Sequence, residues 1–249
     1  MTHASQFAVA VPVGSWHPFL PHALSSLAEQ SPPPEVAVMD ASADPRVSDA
    51  LDESALNIVY RRHGPDDGQA AAIDEGWRNT AAEYVFWLNA DDRLLPGALE
   101  RVLDRFNSAP APDVVFGESL FVDEHDAPIG KHEQVTAVSA LLLRSNCISQ
   151  PSCFARRSAV ERVGGLDTRL HFVMDWDLWI RLYQDGAKFE HVDEALSAVY
   201  MGRGTKTGLV SARRLREVYA LVNRHAGAWA AFKATGSLYL ETLRHRWTD

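Results

Sequence analysis

Two adjacent acids, Asp91 and Asp92, follow the apolar run Val85–Leu88 and Asn89. Neighbouring carboxylates repel, and withdrawing both from water is costly unless a cation joins them. A hard divalent ion such as Mg²⁺ or Mn²⁺ prefers oxygen ligands. It commonly takes one or two protein carboxylates and fills its remaining positions with phosphate and water. Taken alone, the doublet reads first as an exposed acidic turn with Asp92 near a helix start. A second acidic pair, Asp175 and Asp177, stands in the first turn of the amphipathic stretch DWDLWIRLYQDG (175–186), where it favours the helix dipole.

The elements that must position these acids follow from apolar periodicity. FAVAVPV (7–13) and EVAVMD (35–40) are short apolar runs that end at turn-like or acidic residues, as buried strands do. Helical spacing runs from Pro18 to Gln30. NIVYRR (57–62) reads as a third strand, GQAAAIDEGWRNTAA (68–82) as a helix and EYVFWL (83–88) as a fourth strand. GALERVLDRF (97–106) is an amphipathic helix and DVVFG (113–117) follows it. This alternation is that of an α/β sheet, mostly parallel, with flanking helices. Ligands of such sheets bind beyond the carboxyl ends of the strands, so Asp40 and the Asp91–Asp92 pair are expected on one rim.

Beyond residue 117 the pattern changes. A hairpin is expected around Asp126 to Pro128, short helices at SALLLRS and RRSAVERVGG, and a strand pair over 188–201. Two helices, at about 208–226 and 228–246, end the chain. The expected division is 1–117, 118–207 and a C-terminal helical appendage, 208–249.

The 249 residues carry a net charge of −9, which argues against general nucleic-acid binding. From Lys206 onward the balance reverses: eight Lys or Arg stand against three acids. The plain reading of this tail is two helices packed on the body. The alternative is an interfacial surface meeting an anionic membrane. Cys147 and Cys153 read as reduced thiols. The first residues, MTHASQ, lack a basic start, and no apolar stretch approaches a membrane span, so a cytoplasmic protein is expected.

Five stretches, in order, resemble the family-2 glycosyltransferases of the GT-A fold: VAVPVGSW, VMDASADP, GPDDGQAAAIDEGW, WLNADDRLLPGALE and GGLDTRLHFVMDWDLWIRL. The resemblance spans most of residues 7–207. It implies a Rossmann-like sheet and a nucleotide-sugar donor, a UDP-sugar foremost. It also implies a saccharide or glycolipid acceptor, inversion at the anomeric carbon, and Mn²⁺ or Mg²⁺ held by Asp91 and Asp92. Pro12 and Val13 would line the nucleotide, and Asp40 would contact the base or ribose. Asp66, Gly68, Gln69 and Asn89 would lie beside the donor with Asp91. Asp175 becomes the expected base for the acceptor hydroxyl, with Asp177 as the second choice or an acceptor contact alongside Gln150 and Trp176. The chain departs from the family at Asn89, where the DXD pattern starts with Asp, at Asp74, where Asn is common, and at Met174, where Glu is usual. Gly202 occupies the place of a family His, leaving Arg203 or Lys206 to meet the diphosphate. Two other functions remain in view. One is a sugar-phosphate nucleotidyltransferase, disfavoured because PVGSWHPFL has neither a Gly-rich pattern nor a Lys or Arg. The other is a catalytically silent nucleotide-sugar-binding module.

Overall fold

The computed structural model describes residues 5–132, 135–202 and 211–245. Nine strands build one mixed sheet in the order β3-β2-β1-β4-β8-β6-β9-β5, with β7 added beside β6. Strands β1 (Phe7–Val13), β2 (Glu35–Asp40), β3 (Ile58–His63) and β4 (Tyr84–Trp87) are wholly parallel. Strand β8 (Cys153–Arg156) runs against both β4 and β6 (Val114–Val122), and β9 (Phe189–Tyr200) lies parallel to β6. The two-residue β5 (Arg93–Leu94) closes the edge against β9, and β7 (Pro128–Lys131) forms the hairpin with β6. Residue 117 falls inside β6, so the sheet is continuous there.

The pleat sorts β1 between two cores. Phe7, Val9, Val11 and Val13 face α1 (Leu20–Ala28), α2 (Pro45–Glu53) and α4 (Ala98–Phe106). Ala8 and Ala10 face the other layer, with α3 (Gln69–Arg78) and α6 (Met174–Gln184). Small residues on that side let α3 lie close to the sheet. A Cβ at Gly76 would sit 2.8 Å from Met39 Cε and 3.0 Å from Ala10 Cβ. Trp77 then closes the contact, its indole N–H donating to the Phe86 carbonyl at 2.8 Å.

Three expectations are corrected. The strand pair expected over 188–201 is one long strand, Phe189–Tyr200, in which Asp193 and Glu194 bulge out where the β6–β9 register shifts after Gly117. SALLLRS makes only a single 3₁₀ turn, Ala140–Leu143, capped by Ser139. Helix α2 had no counterpart in the sequence reading, although its Asp44 cap and Pro45 are ordinary start signals.

Helix α5 (Arg157–Arg162) follows β8. Helices α7 (Ala212–Ala226) and α8 (Ala228–His245) pack on the α6 side. Glu217 of α7 accepts the backbone N–H groups of His171 at 3.0 Å and Phe172 at 2.7 Å, tying the tail to the loop before α6. Among the described residues no helix is long and apolar enough to cross a membrane.

Candidate functional site

The carboxyl ends of β1 to β4 form the rim on which most of the expected residues lie. Strand β4 ends at Trp87, and the chain turns at Asn89, where the Asp92 N–H donates to the Asn89 carbonyl at 3.2 Å. The Asn89 side chain is held on every side. Its Oδ1 accepts from Gln69 Nε2 at 2.7 Å, and its Nδ2 donates to Asp92 Oδ2 at 2.9 Å and Gln150 Oε1 at 3.2 Å. Gln150 Nε2 in turn donates to the Trp87 carbonyl at 2.8 Å. Gln69, Asn89, Asp92 and Gln150, spread over 82 positions of sequence, therefore form one amide–carboxyl network.

Asp92 is buried, whereas Asp91 is half-buried beside it. Burial, and then the neighbouring charge of Asp91, push the Asp92 carboxyl well above the usual carboxylate range, against hydrogen bonds from Asn89 and the Tyr200 N–H. Two acids under such pressure are a donor set suited to a hard cation that brings phosphate or water as its other ligands. No group of three or more metal-ligating His, Cys, Asp or Glu exists among the described residues.

Gly68, with φ of 107°, makes the bend into α3 that a side chain would strain, and Gln69 starts the helix. Asp66 shapes this bend: Oδ1 accepts the Gly68 N–H at 2.9 Å and Oδ2 lies 3.5 Å from Arg62. Pro12 and Val13 are packed at the end of β1 opposite Met39 and Asp40, and the Val13 carbonyl accepts from the Ala41 N–H at 2.9 Å. Asp40 is sequestered. Ser42 N–H and Oγ donate to its Oδ1 at 2.9 and 2.6 Å, and His63 Nδ1 meets Oδ2 at 2.9 Å. Burial works to raise the Asp40 carboxyl, but Ser42 and His63 together outweigh it and hold it below its ordinary value.

The second acidic pair is split by its helix. Asp175 and Trp179 are one turn apart on α6 and share a face. Trp179 stacks on Trp87 at 5.9 Å, directing that face toward β4. Asp175 accepts from Asn146 Nδ2 at 3.0 Å. Burial raises its carboxyl; the Trp176 N–H, Asn146 and the charge of Arg214 oppose this and lose. The Asp175 charge also reaches Cys153, three residues after Gln150. Asp177 points elsewhere: Oδ2 accepts from Arg181 Nε at 2.7 Å, and Oδ1 is 3.7 Å from Arg224. These contacts make it an ion pair within α6 that also faces α7. Trp176 is likewise buried, its indole N–H donating to the Leu142 carbonyl at 2.6 Å. Arg203 and Lys206 lie outside the described residues.

Two residues that sequence reasoning passed over, and Asp74, which it marked only as a departure from the family, also shape the site. Asn146 holds Asp175, and His63 covers Asp40. Asp74 accepts the Leu166 N–H at 3.1 Å, steadying the loop that leads to α6. Of the two passed over, only His63 carried a signal, as the polar end of a strand adjacent to Asp40.

Comparisons with known proteins agree with this fold. The model of glycosyl transferase family 2 matches residues 9–164. A pre-mycofactocin glycosyltransferase of Mycobacterium tuberculosis is 28% identical over 172 residues, covering 66% of this chain and 36% of the relative. An uncharacterized glycosyltransferase of Rickettsia typhi is 24% identical over 234 residues, covering 88% of this chain and 71% of the relative. The chain thus spans little more than a third of the mycobacterial protein's length. Among solved structures, S. aureus TarS 1–349 in complex with UDP-GlcNAc superposes with a TM-score of 0.67 at 16% identity, covering 98% of this chain and 73% of TarS 1–349. The mannosyltransferase PcManGT of Pyrobaculum calidifontis, in complex with GDP-Man and Mn²⁺, gives 0.62 at 16% identity, covering 98% and 76%. With a GT-A fold, an amide-held acidic pair at the end of β4 and a family match over most of its length, this chain belongs to glycosyl transferase family 2.

Proposed function

We propose that the protein transfers a sugar from a nucleoside-diphosphate sugar, a UDP-sugar foremost, to an acceptor hydroxyl in glycoconjugate synthesis, with inversion. The observation that carries this reading is the network in which Gln69, Asn89 and Gln150 seat Asp92 beside Asp91 at the end of β4. Asp91 and Asp92 would hold Mn²⁺ or Mg²⁺, which when bound supplies Lewis acidity to the leaving diphosphate. The rim of β1 to β4 binds the donor. The layer around α6 serves the acceptor, a saccharide or glycolipid, and residues from 208 onward are an appendage. The Asp175 carboxylate accepts the proton of the acceptor hydroxyl as its oxygen bonds to the anomeric carbon. The bond to the diphosphate oxygen breaks on the opposite face, and the departing nucleotide takes the electron pair, through a transition state of oxocarbenium character. Burial that raises the Asp175 carboxyl makes its carboxylate a stronger proton acceptor than a free one, as a base requires. TarS with UDP-GlcNAc and PcManGT with GDP-Man support a donor of this class.

The test is hydrolysis of a nucleotide-sugar panel with Mn²⁺ or Mg²⁺, repeated with chelator. Release of one nucleoside diphosphate, abolished by chelator, is expected. Pyrophosphate release from a nucleoside triphosphate and a sugar phosphate would instead identify a nucleotidyltransferase. Binding without turnover, unchanged by Asp175→Asn, would identify a silent binding module.

A peripheral membrane contact is proposed for α8. Trp229, Phe232 and Tyr239 are exposed along it, Trp229 by 70%, with Lys233 Nζ 5.2 Å from the Trp229 ring. Exposed Arg213, Arg216 and Arg224 on α7 add positive charge. Wild-type protein should sediment with anionic vesicles and Arg213→Ala/Arg214→Ala/Arg216→Ala should not. A wild type that stays in the supernatant ends the idea.

A further inference from the structure

Asp40 lies at the rim, yet its carboxylate is 1% exposed and both oxygens are engaged. A ligand at the ends of β2 and β3 meets the side chain that covers it, His63, which is 63% exposed. An ionised carboxylate only accepts hydrogen bonds, so the 2.9 Å contact fixes the proton on His63 Nδ1. In the neutral ring Nε2 is then an acceptor facing outward. The orientation of Asp40 is itself fixed. Ser42 Oγ accepts the Asp44 N–H at 3.1 Å and turns its own proton toward Asp40 Oδ1. Strand β3 is three places from β4, roughly 14 Å at ordinary strand spacing. A nucleoside diphosphate with its phosphates at Asp91 and Asp92 reaches about that far with its base.

Resting on the donor-site reading above, we infer that His63 reads the nucleobase through Nε2. It selects bases that present a ring N–H beside a carbonyl (uracil, thymine or guanine) over cytosine and adenine. The last two place a ring-nitrogen acceptor at that edge, and two facing acceptors leave both unpaired. Asp40 and Ser42 are positioning residues that set the tautomer and touch no ligand.

The experiment is calorimetric binding of UDP against CDP, and of GDP against ADP, with Mg²⁺ present, at pH 8, above the ordinary imidazole range. Wild type should favour UDP over CDP, or GDP over ADP, by about tenfold, the scale of one hydrogen bond. His63→Ala should bring that ratio close to one. Asp40→Asn supplies the readout that a purely structural role would not move. Ser42 keeps the amide oxygen at the Oδ1 position, so the new NH₂ faces Nδ1. The tautomer flips, Nε2 carries the proton, and the preference should invert toward CDP or ADP. A ratio unchanged in His63→Ala, including equal weakening of both nucleotides, overturns the inference while leaving the donor site standing. Failure of wild type to bind any of the four overturns both. Since His63 is largely exposed, its substitution tests the idea even if Asp40→Asn does not fold.

Discussion

The end of β4 and the start of α6 each carry two acids within three residues, and the fold treats them oppositely. Asp91 and Asp92 are kept together, and among the described residues amides from three elements, not a counter-charge, orient the buried Asp92 carboxyl. Asp175 and Asp177 are divided by the helical turn: one meets an amide, the other two arginines. The difference separates chemistry from architecture. On the proposed function, a carboxylate that meets a ligand is buried at a cost in free energy, whereas one that holds helices together is given a close counter-charge.

Asp175→Asn should break the comparison most severely. Removal of a general base is expected to lower kcat by about 10³-fold with little change in donor KM. For wild type, kcat/KM should climb with pH, with a midpoint above the ordinary carboxylate range. Stability has the opposite sign. A carboxyl raised in the folded state stabilises while protonated, and that contribution is lost as pH rises from the ordinary carboxylate range through the raised value. Asp175→Asn should therefore melt higher than wild type at pH 8, and the gap should close toward about pH 4. Equal melting temperatures across that range would refute the assigned burial.

Asp177→Ala should do the reverse. Loss of one partner leaves Arg181 with an uncompensated charge and costs about 3 kcal/mol of stability, read as a lower denaturant midpoint, while kcat stays close to wild type. A collapse of kcat in a folded variant would return Asp177 to the acceptor site. The smallest change is expected from Asn89→Ala. Removing the hub of the amide network should reduce kcat/KM for the donor about tenfold. No change would show that Asp92 orients itself.

The contrast also explains what could be read beforehand. Strands β1, β2 and β4 are apolar runs and β3 begins as one, so the local pattern displayed them, and the rim at Asp40 and Asp91–Asp92 followed from the strand ends. Strands β5 and β8 have two and four residues, and pairing with segments distant in the chain sustains them. In β9, Asp193 and Glu194 mimic a turn because a bulge and a turn both expose polar side chains. Within the site, residue types pointed to Gln69, Asn89 and Gln150 through family resemblance, but their mutual bonds span 20 and 61 positions and follow only from the fold. The Asp177–Arg181 pair stands at helical i,i+4 spacing, so it too was visible in the sequence.

Three buried indoles, Trp77, Trp87 and Trp179, run in a row from α3 through β4 to α6, with centroids 5.7 and 5.9 Å apart. Their electronic transitions are close enough to couple, so they give the enzyme an internal optical gauge. Near-ultraviolet dichroism will follow the packing of α6, and with it the placement of Asp175, without any label.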